Sequence, residues 1–159
     1  MAKILVAVFS PTGTTRKIAK LIEEITGADF YEIKPVEKYT SMDLDWDNKI
    51  SRSSVEMMDN NSRPKIADRN AQIETYDTIY LGFPIWWYVA PRIIQTFLES
   101  YNFDGKTIVT FATSGGSGFG DTLSNLKHSA PDAKFIEGRV FRGHTEKDTV
   151  ATWLKTVAV

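Results

Sequence analysis

A chain of 159 residues, 42% hydrophobic and 25% charged, has the make-up of one globular domain with a substantial core. Its formal net charge of −1 argues against a nucleic-acid binder, which needs a basic face, and supplies no strong acidic field for steering a basic partner. The absence of cysteine excludes disulfides, thiolate catalysis, iron–sulfur clusters and Cys-ligated zinc, and two histidines far apart in sequence, His128 and His144, are expected at the surface or in packing rather than on a metal.

The first element is a continuous apolar run, Ile4–Phe9, of the kind that forms a strand buried on both faces of a parallel sheet. The run is too short for a signal peptide and leads directly into a loop, so it is read as structure. No run reaches the length of a membrane span, and a cytoplasmic location is expected by elimination. After the loop Ser10-Pro11-Thr12-Gly13-Thr14-Thr15, residues Ile18, Leu21, Ile22 and Ile25 repeat at helical spacing, and Gly27 supplies a stop. Ala28–Lys34 reads as a second strand ended by Pro35. Residues 35–76 form a polar connection longer than a strand-to-helix loop needs, long enough to cover one edge of a site. Within it Trp46, Ile50, Met57 and Met58 hint at a helix that Arg63-Pro64 would break.

Thr78–Phe83 is the third strand, and Pro91 sits where a first helical residue is expected ahead of the stripe Ile94, Phe97, Leu98, Tyr101. Thr107–Thr113 is the fourth strand, with Leu123 and Leu126 marking the helix after it. Phe135–Phe141 is a fifth, interrupted by Gly138. Thr145-Glu146-Lys147-Asp148 carries a capping-box signature before the last stripe, Val150, Trp153, Leu154 and Val157. Strands alternating with helices predict a doubly wound five-stranded parallel α/β sheet, order 2-1-3-4-5, with helices on both faces and no internal repeat or linker. Right-handed crossovers bring the carboxyl-end loops to one edge, and ligands bind where strand order reverses, here between the first and third strands.

Three stretches of unusual composition then converge. Ser10 to Thr15 opens a helix, where unpaired N–H groups and the helix dipole suit an anion, and four hydroxyls stand beside Gly13 with no lysine. Gly-x-x-x-x-Gly-Lys-Ser/Thr occurs nowhere, so the loop suits a single terminal phosphate better than a nucleoside triphosphate; the alternative is an ordinary turn with a Thr cap. Pro84, Ile85, Trp86, Trp87 and Tyr88 put three aromatics in a row, which cannot all face one core. One at least meets solvent or walls a planar ring. Thr113 ends the fourth strand, and Ser114, Gly115, Gly116, Ser117, Gly118, Phe119, Gly120 and Asp121 follow it. Their glycines free backbone groups to meet the polar edge of a heterocycle, while Asp121 either caps the next helix or touches the ligand. Neither a dinucleotide fingerprint nor a Gly-x-Ser-x-Gly elbow is present. Nor is the acidic cluster of a signalling receiver domain: Phe9-Ser10-Pro11 and Phe83-Pro84 stand in its place.

The motifs Ser10-Pro11-Thr12-Gly13-Thr14-Thr15, Gly82-Phe83-Pro84-Ile85-Trp86-Trp87 with a following Pro91, and Thr113-Ser114-Gly115-Gly116-Ser117-Gly118-Phe119-Gly120 resemble the flavodoxins over nearly the whole chain. The resemblance implies FMN as cofactor. Ser10 to Thr15 would take its phosphate, Pro84 to Tyr88 would flank the isoalloxazine, and Ser114 to Asp121 would meet its pyrimidine edge. It implies an electron carrier serving a reductase and an acceptor protein, as a monomer or weak dimer, with no nucleic acid or membrane partner. An FMN-dependent NAD(P)H:quinone or azo reductase is the alternative, favoured by the near-neutral charge. Relatives usually place glycine directly after the Trp-Trp pair, where Tyr88 stands; a tyrosine resists positive φ, so the semiquinone stabilisation that such a glycine gives by turning its peptide is not expected by that route. A phosphate held without lysine, beside aromatic walls, would disfavour further negative charge on the ring and lower its potential.

Overall fold

The computed structural model describes residues 3–142 and 144–157. The apolar run forms β1 (Ile4–Val8), buried from Leu5 onward because it has strands on both sides and helices on both faces. It pairs in parallel with β2 (Asp29–Glu32) and with β3 (Thr78–Pro84). β3 pairs with β4 (Thr107–Thr113), and β4 with β5 (Lys134–Phe141), giving the expected order β2-β1-β3-β4-β5. The register sets Val8 opposite both Glu32 and Gly82, and Pro84 opposite Thr113. The carboxyl ends that carry the three loops therefore lie side by side across the reversal point. The interruption foreseen at Gly138 is a bulge: Thr110 pairs with Glu137 and Phe111 with Arg139, leaving Gly138 over. A Cβ there would collide with the Thr110 carbonyl and lie 2.8 Å from the Trp153 ring.

Helices cover the sheet on two sides. α1 (Thr14–Thr26) buries Ile18, Ala19 and Ile22 with Val150 and Trp153 of α5 (Lys147–Thr156) against Val6, Val8, Val109 and Phe111. Gly27, at φ 74, ends α1 as expected, its N–H donating to Glu23 O at 2.9 Å. On the other face α3 (Arg92–Glu99) contributes Ile93, Ile94, Phe97 and Leu98, and α4 (Thr122–Lys127) contributes Leu126, packed on Leu5, Ala7, Leu81 and Ile108.

Several boundaries move. β2 ends at Glu32, not Lys34, because Ile33 makes the last bond to β1 (N–H to Val8 O, 2.7 Å). The chain then turns to an antiparallel bridge between Pro35 and Ile66, closed by Ala67 N to Lys34 O at 2.7 Å and Val36 N to Lys65 O at 2.9 Å. The connection thus leaves and rejoins the edge of the sheet at one point and loops out between. Its helix, α2 (Arg52–Met58), is shorter than the apolar hints: Trp46 and Ile50 precede it, only Met57 of the four is buried, and it ends five residues before Arg63-Pro64. Pro91 is the residue preceding α3 rather than its first. The capping box at Thr145 to Asp148 does not form: Glu146 occupies the cap position of α5, and no side chain caps it.

Candidate functional site

The loop after β1 divides its hydroxyls between holding the loop and facing outward. Gly13, at φ 88, precedes α1 with no side-chain cap, so the Thr cap is replaced by a different device. Ser10 Oγ accepts from Arg16 N at 3.0 Å and Ser10 O from Gly13 N at 3.3 Å, closing the turn on itself. Thr15 is buried, and its hydroxyl meets that of Thr113 at 2.7 Å, tying the first loop to the end of β4. Thr12 and Thr14 stay exposed with their hydroxyls 3.3 Å apart. Among the described residues nothing accepts from the backbone N–H groups of Thr12, Thr14 or Thr15. The outward surface of the loop is therefore neutral donors at a helix N-terminus. Arg16 is exposed and turned to β2, with its Nε 3.5 Å from Glu32 Oε1. Replacing Thr15 by Val strands the Thr113 hydroxyl in the interior. Urea unfolding is expected to show a loss of about 1–2 kcal/mol, with the Thr15→Val/Thr113→Val double variant losing less than the sum.

The loop after β3 is a tight two-residue hairpin. Trp86 N donates to Val89 O at 2.9 Å and Val89 N to Trp86 O at 3.2 Å, with Trp87 at φ 48 and Tyr88 at φ 66. Both central residues are left-handed, as a type I′ turn demands. Tyr88 thus adopts the positive φ that a tyrosine resists, at a cost of roughly 1–2 kcal/mol for each such residue. The surroundings explain how it is held. Gly120 packs on the turn so closely that a Cβ would lie 2.6 Å from Tyr88 O, and the Thr122 hydroxyl sits 3.4 Å from the same carbonyl. Ile85 N donates to Thr113 O at 2.9 Å. The three aromatics separate as their adjacency required. Trp86 turns inward, edge-on to Phe9 (5.9 Å) and Tyr39 (5.6 Å), while Trp87 is 42% and Tyr88 63% exposed.

In the loop after β4, Ser114 Oγ accepts from Gly116 N at 3.1 Å and Ser117 N at 2.9 Å. Gly115, Gly116, Gly118 and Gly120 are exposed around a buried Phe119. Asp121 occupies the cap position of α4, but its carboxylate makes no cap bond. Its carbonyl instead accepts from Asn125 N at 3.0 Å and Ser124 Oγ at 2.9 Å.

The second and third loops, through Ile85–Tyr88 and Ser114–Ser117, share one cavity of about 480 Å³. Its remaining wall, Leu44, Trp46 and Ser53, comes from the connection between β2 and β3, whose contribution was legible only as length and a stray tryptophan. A neighbouring hollow of about 590 Å³ is lined by Phe9, Ser10 and Pro11 together with the chain leaving β2. Gly13 and Thr14 face a third hollow, beside Lys17 and His144. Gly120 and Asp121 line none of these; Gly120 acts on the site through Tyr88.

The covering segment is fastened in place. Tyr39 lies edge-on to Phe9 at 5.6 Å, donates to Glu56 Oε1 at 2.5 Å and carries the Arg52 guanidinium 3.8 Å over its ring. Arg52 Nε bonds Glu56 Oε2 at 3.0 Å. Burial, reinforced by the Glu56 carboxylate, pushes the Tyr39 phenol well above its ordinary range, so it remains a neutral donor. Arg92, 4% exposed, donates from Nη2 to Met57 O and Asn60 Oδ1, both at 2.9 Å, and pins the end of α2 to α3. Among the described residues no group of His, Asp or Glu is placed to hold a metal ion, and no helix is long and apolar enough to cross a membrane.

A parallel sheet whose reversal point carries a neutral-donor loop, an aromatic hairpin and a glycine-rich edge defines a doubly wound α/β protein, of the class in which ligands bind at the carboxyl rim. The sequence pattern of the flavodoxins matches residues 3–157, and the chain belongs to the flavodoxin family. A protein from Bacteroides eggerthii DSM 20697, assigned as a flavoprotein, is 49% identical, with a TM-score of 0.92 over 100% of this chain and 99% of that one. One from Bacteroides uniformis ATCC 8492, assigned likewise, is 50% identical, with a TM-score of 0.92 over 98% and 99%. A flavoprotein from Lactobacillus acidophilus NCFM, solved in complex with FMN, shares the fold at 24% identity, with a TM-score of 0.69 over 97% and 99%. No curated protein sequence matches the chain.

Proposed function

We propose that this chain binds FMN at the carboxyl rim of its sheet and works as a flavodoxin-type electron carrier between protein partners. The observation that carries the reading is the convergence of three chemically distinct loops around the reversal point, with Thr15 bonded to Thr113 at 2.7 Å and the aromatic hairpin sharing a cavity with Ser114–Ser117. Family membership and the FMN of the Lactobacillus acidophilus protein support the choice of ligand. The free N–H groups of Thr12, Thr14 and Thr15, with the Thr12 and Thr14 hydroxyls, would take the phosphate. Pro84 to Tyr88 would line the ring, and the backbone of Ser114 to Gly118 would meet its polar edge, with Gly120 and Asp121 shaping that loop.

Bound FMN supplies one- and two-electron redox chemistry. The protein's part is to hold the phosphate without a lysine and to border the ring with indoles, which leaves negative charge uncompensated close by and a low local dielectric. Adding further negative charge to the ring is then unfavourable. A redox titration of the loaded protein is expected to resolve two one-electron steps, the second well below free FMN. A single two-electron step near the value of free FMN refutes the carrier reading. The second reading, an FMN-dependent NAD(P)H:quinone or azo reductase, is favoured by the net charge of −1, which supplies no strong overall acidic field for steering a partner. Turnover of NADPH with a quinone by the purified protein separates the two, since a carrier shows almost none.

A further inference from the structure

Trp46 is a large indole, 70% exposed, in the middle of an acidic stretch, Asp43-Leu44-Asp45-Trp46-Asp47. Exposure of this kind normally accompanies a mobile tip, but here the loop is bound by its own polar groups. Thr40 N donates to Asp43 Oδ2 at 3.0 Å and Asp43 N to Thr40 Oγ1 at 3.1 Å. Asp47 N donates to Asp45 Oδ1 at 3.2 Å, Ile50 N to Asn48 Oδ1 at 3.1 Å, and Ser53 N to Asp43 O at 2.9 Å. Downstream, Ser51 caps α2 and Arg92 holds its far end. A fixed scaffold thus presents an apolar ring to solvent, at a hydration cost that burial against a ligand would recover.

The position of that ring supplies the ligand. Trp46 lines the cavity of about 480 Å³ that Trp86, Trp87 and Ser114–Ser117 line from other elements. Among the described residues neither Trp46 nor Trp87 makes an aromatic pair with any other ring, so the two indoles border open space instead of each other. We infer that Trp46 is a cofactor-binding residue: a wall of the isoalloxazine pocket contributed by the β2–β3 connection, facing the wall that the β3 hairpin provides. The inference rests on the FMN reading above and adds to it the residue that closes the pocket from outside.

Titration of the full-length apoprotein with FMN and with riboflavin, followed by flavin fluorescence, tests it in three forms: wild type, Trp46→Ala, and Met58→Ser. Met58 is also exposed, at 82%, on the same cover but does not line the cavity, so Met58→Ser reports any general loosening of the segment. Loss of one of the two ring-facing walls is expected to weaken FMN about tenfold in Trp46→Ala, equivalent to about 1.4 kcal/mol. Riboflavin should weaken by the same factor, because Trp46 would touch the ring and not the phosphate. Met58→Ser should bind as wild type does. Wild-type affinity in Trp46→Ala, or a loss matched by Met58→Ser, or a loss seen with FMN but not riboflavin, overturns the role of Trp46 and leaves the FMN reading standing. Failure of the wild-type protein to bind FMN overturns both.

Discussion

FMN is expected to bind this protein about a thousandfold more tightly than riboflavin, although the two share the whole ring system. The difference is the phosphate, and the first loop is built to receive it. The N–H groups of Thr12, Thr14 and Thr15 have no acceptor among the described residues, and the Thr12 and Thr14 hydroxyls are exposed beside them. Hydrogen bonds to a charged acceptor contribute about 1.5–3 kcal/mol each, so two well-formed bonds account for a factor of roughly a hundred to ten thousand. The donors of the loop itself are neutral: it holds no lysine and Arg16 is paired with Glu32, which leaves Lys17, beside Gly13 and Thr14, as the neighbouring cation. Screening by salt should trim the affinity only modestly, because it acts on Lys17 and the helix terminus while the hydrogen bonds themselves are short-range. The pH should matter more. A phosphate monoester loses its second charge as pH falls through about 6, so FMN should weaken over that range while riboflavin stays level. Fluorescence titrations with both flavins at two pH values measure all of this. Equal affinities for FMN and riboflavin would remove the first loop from the site.

The expectation of a phosphate loop was legible because its signals are local. A buried strand, a Gly at the turn, threonines and an amphipathic stripe follow one another within 22 residues, Ile4 to Ile25, and each has its own physical reading. The sheet order was legible for a similar reason, since alternating strands and helices leave few topologies once handedness is fixed. What could not be read was the division of labour among hydroxyls. Ser10 and Thr15 look like Thr12 and Thr14 in the chain, yet the fold uses the first pair to close the loop and to bond Thr113, 98 positions away. The left-handed Tyr88 is illegible for the same reason. Its local preference is unfavourable, and what holds it is Gly120, which belongs to a different loop. The β2–β3 connection was the least legible because its order comes from side-chain-to-backbone bonds of Asp, Asn, Ser and Thr, which in sequence are indistinguishable from a solvated loop.

Gly82→Ala should be among the most damaging single substitutions outside the loops, with an expected loss of about 3 kcal/mol in urea unfolding, the upper end of the range for overpacking. Gly82 lies in β3, in the middle of the sheet, fully enclosed and with no unusual φ, so backbone freedom is not why it is glycine. The reason is its neighbour. The register places Phe111 of β4 directly opposite, and the Phe111 ring lies over Gly82 so closely that a Cβ would fall within the space the ring occupies, 2.9 Å from Cε1 and nearer still to Cζ and Cε2. Phe111 cannot swing away. It is fully buried in the core under α1 and α5, with its ring 6.4 Å from that of Trp153. Overpacking in a closed site of this kind costs typically 1–3 kcal/mol and sometimes more, because neighbours must leave their rotamers or the strands must part. Moving β3 would also move Pro84 and the aromatic hairpin, so weakened FMN binding should accompany the lost stability. The mechanism has a direct check. Phe111→Leu shortens the obstructing group, so Gly82→Ala/Phe111→Leu should be more stable than Gly82→Ala alone, with a coupling of 1 kcal/mol or more across the pair. If the two substitutions simply add, the Phe111 ring is not what requires glycine at that position.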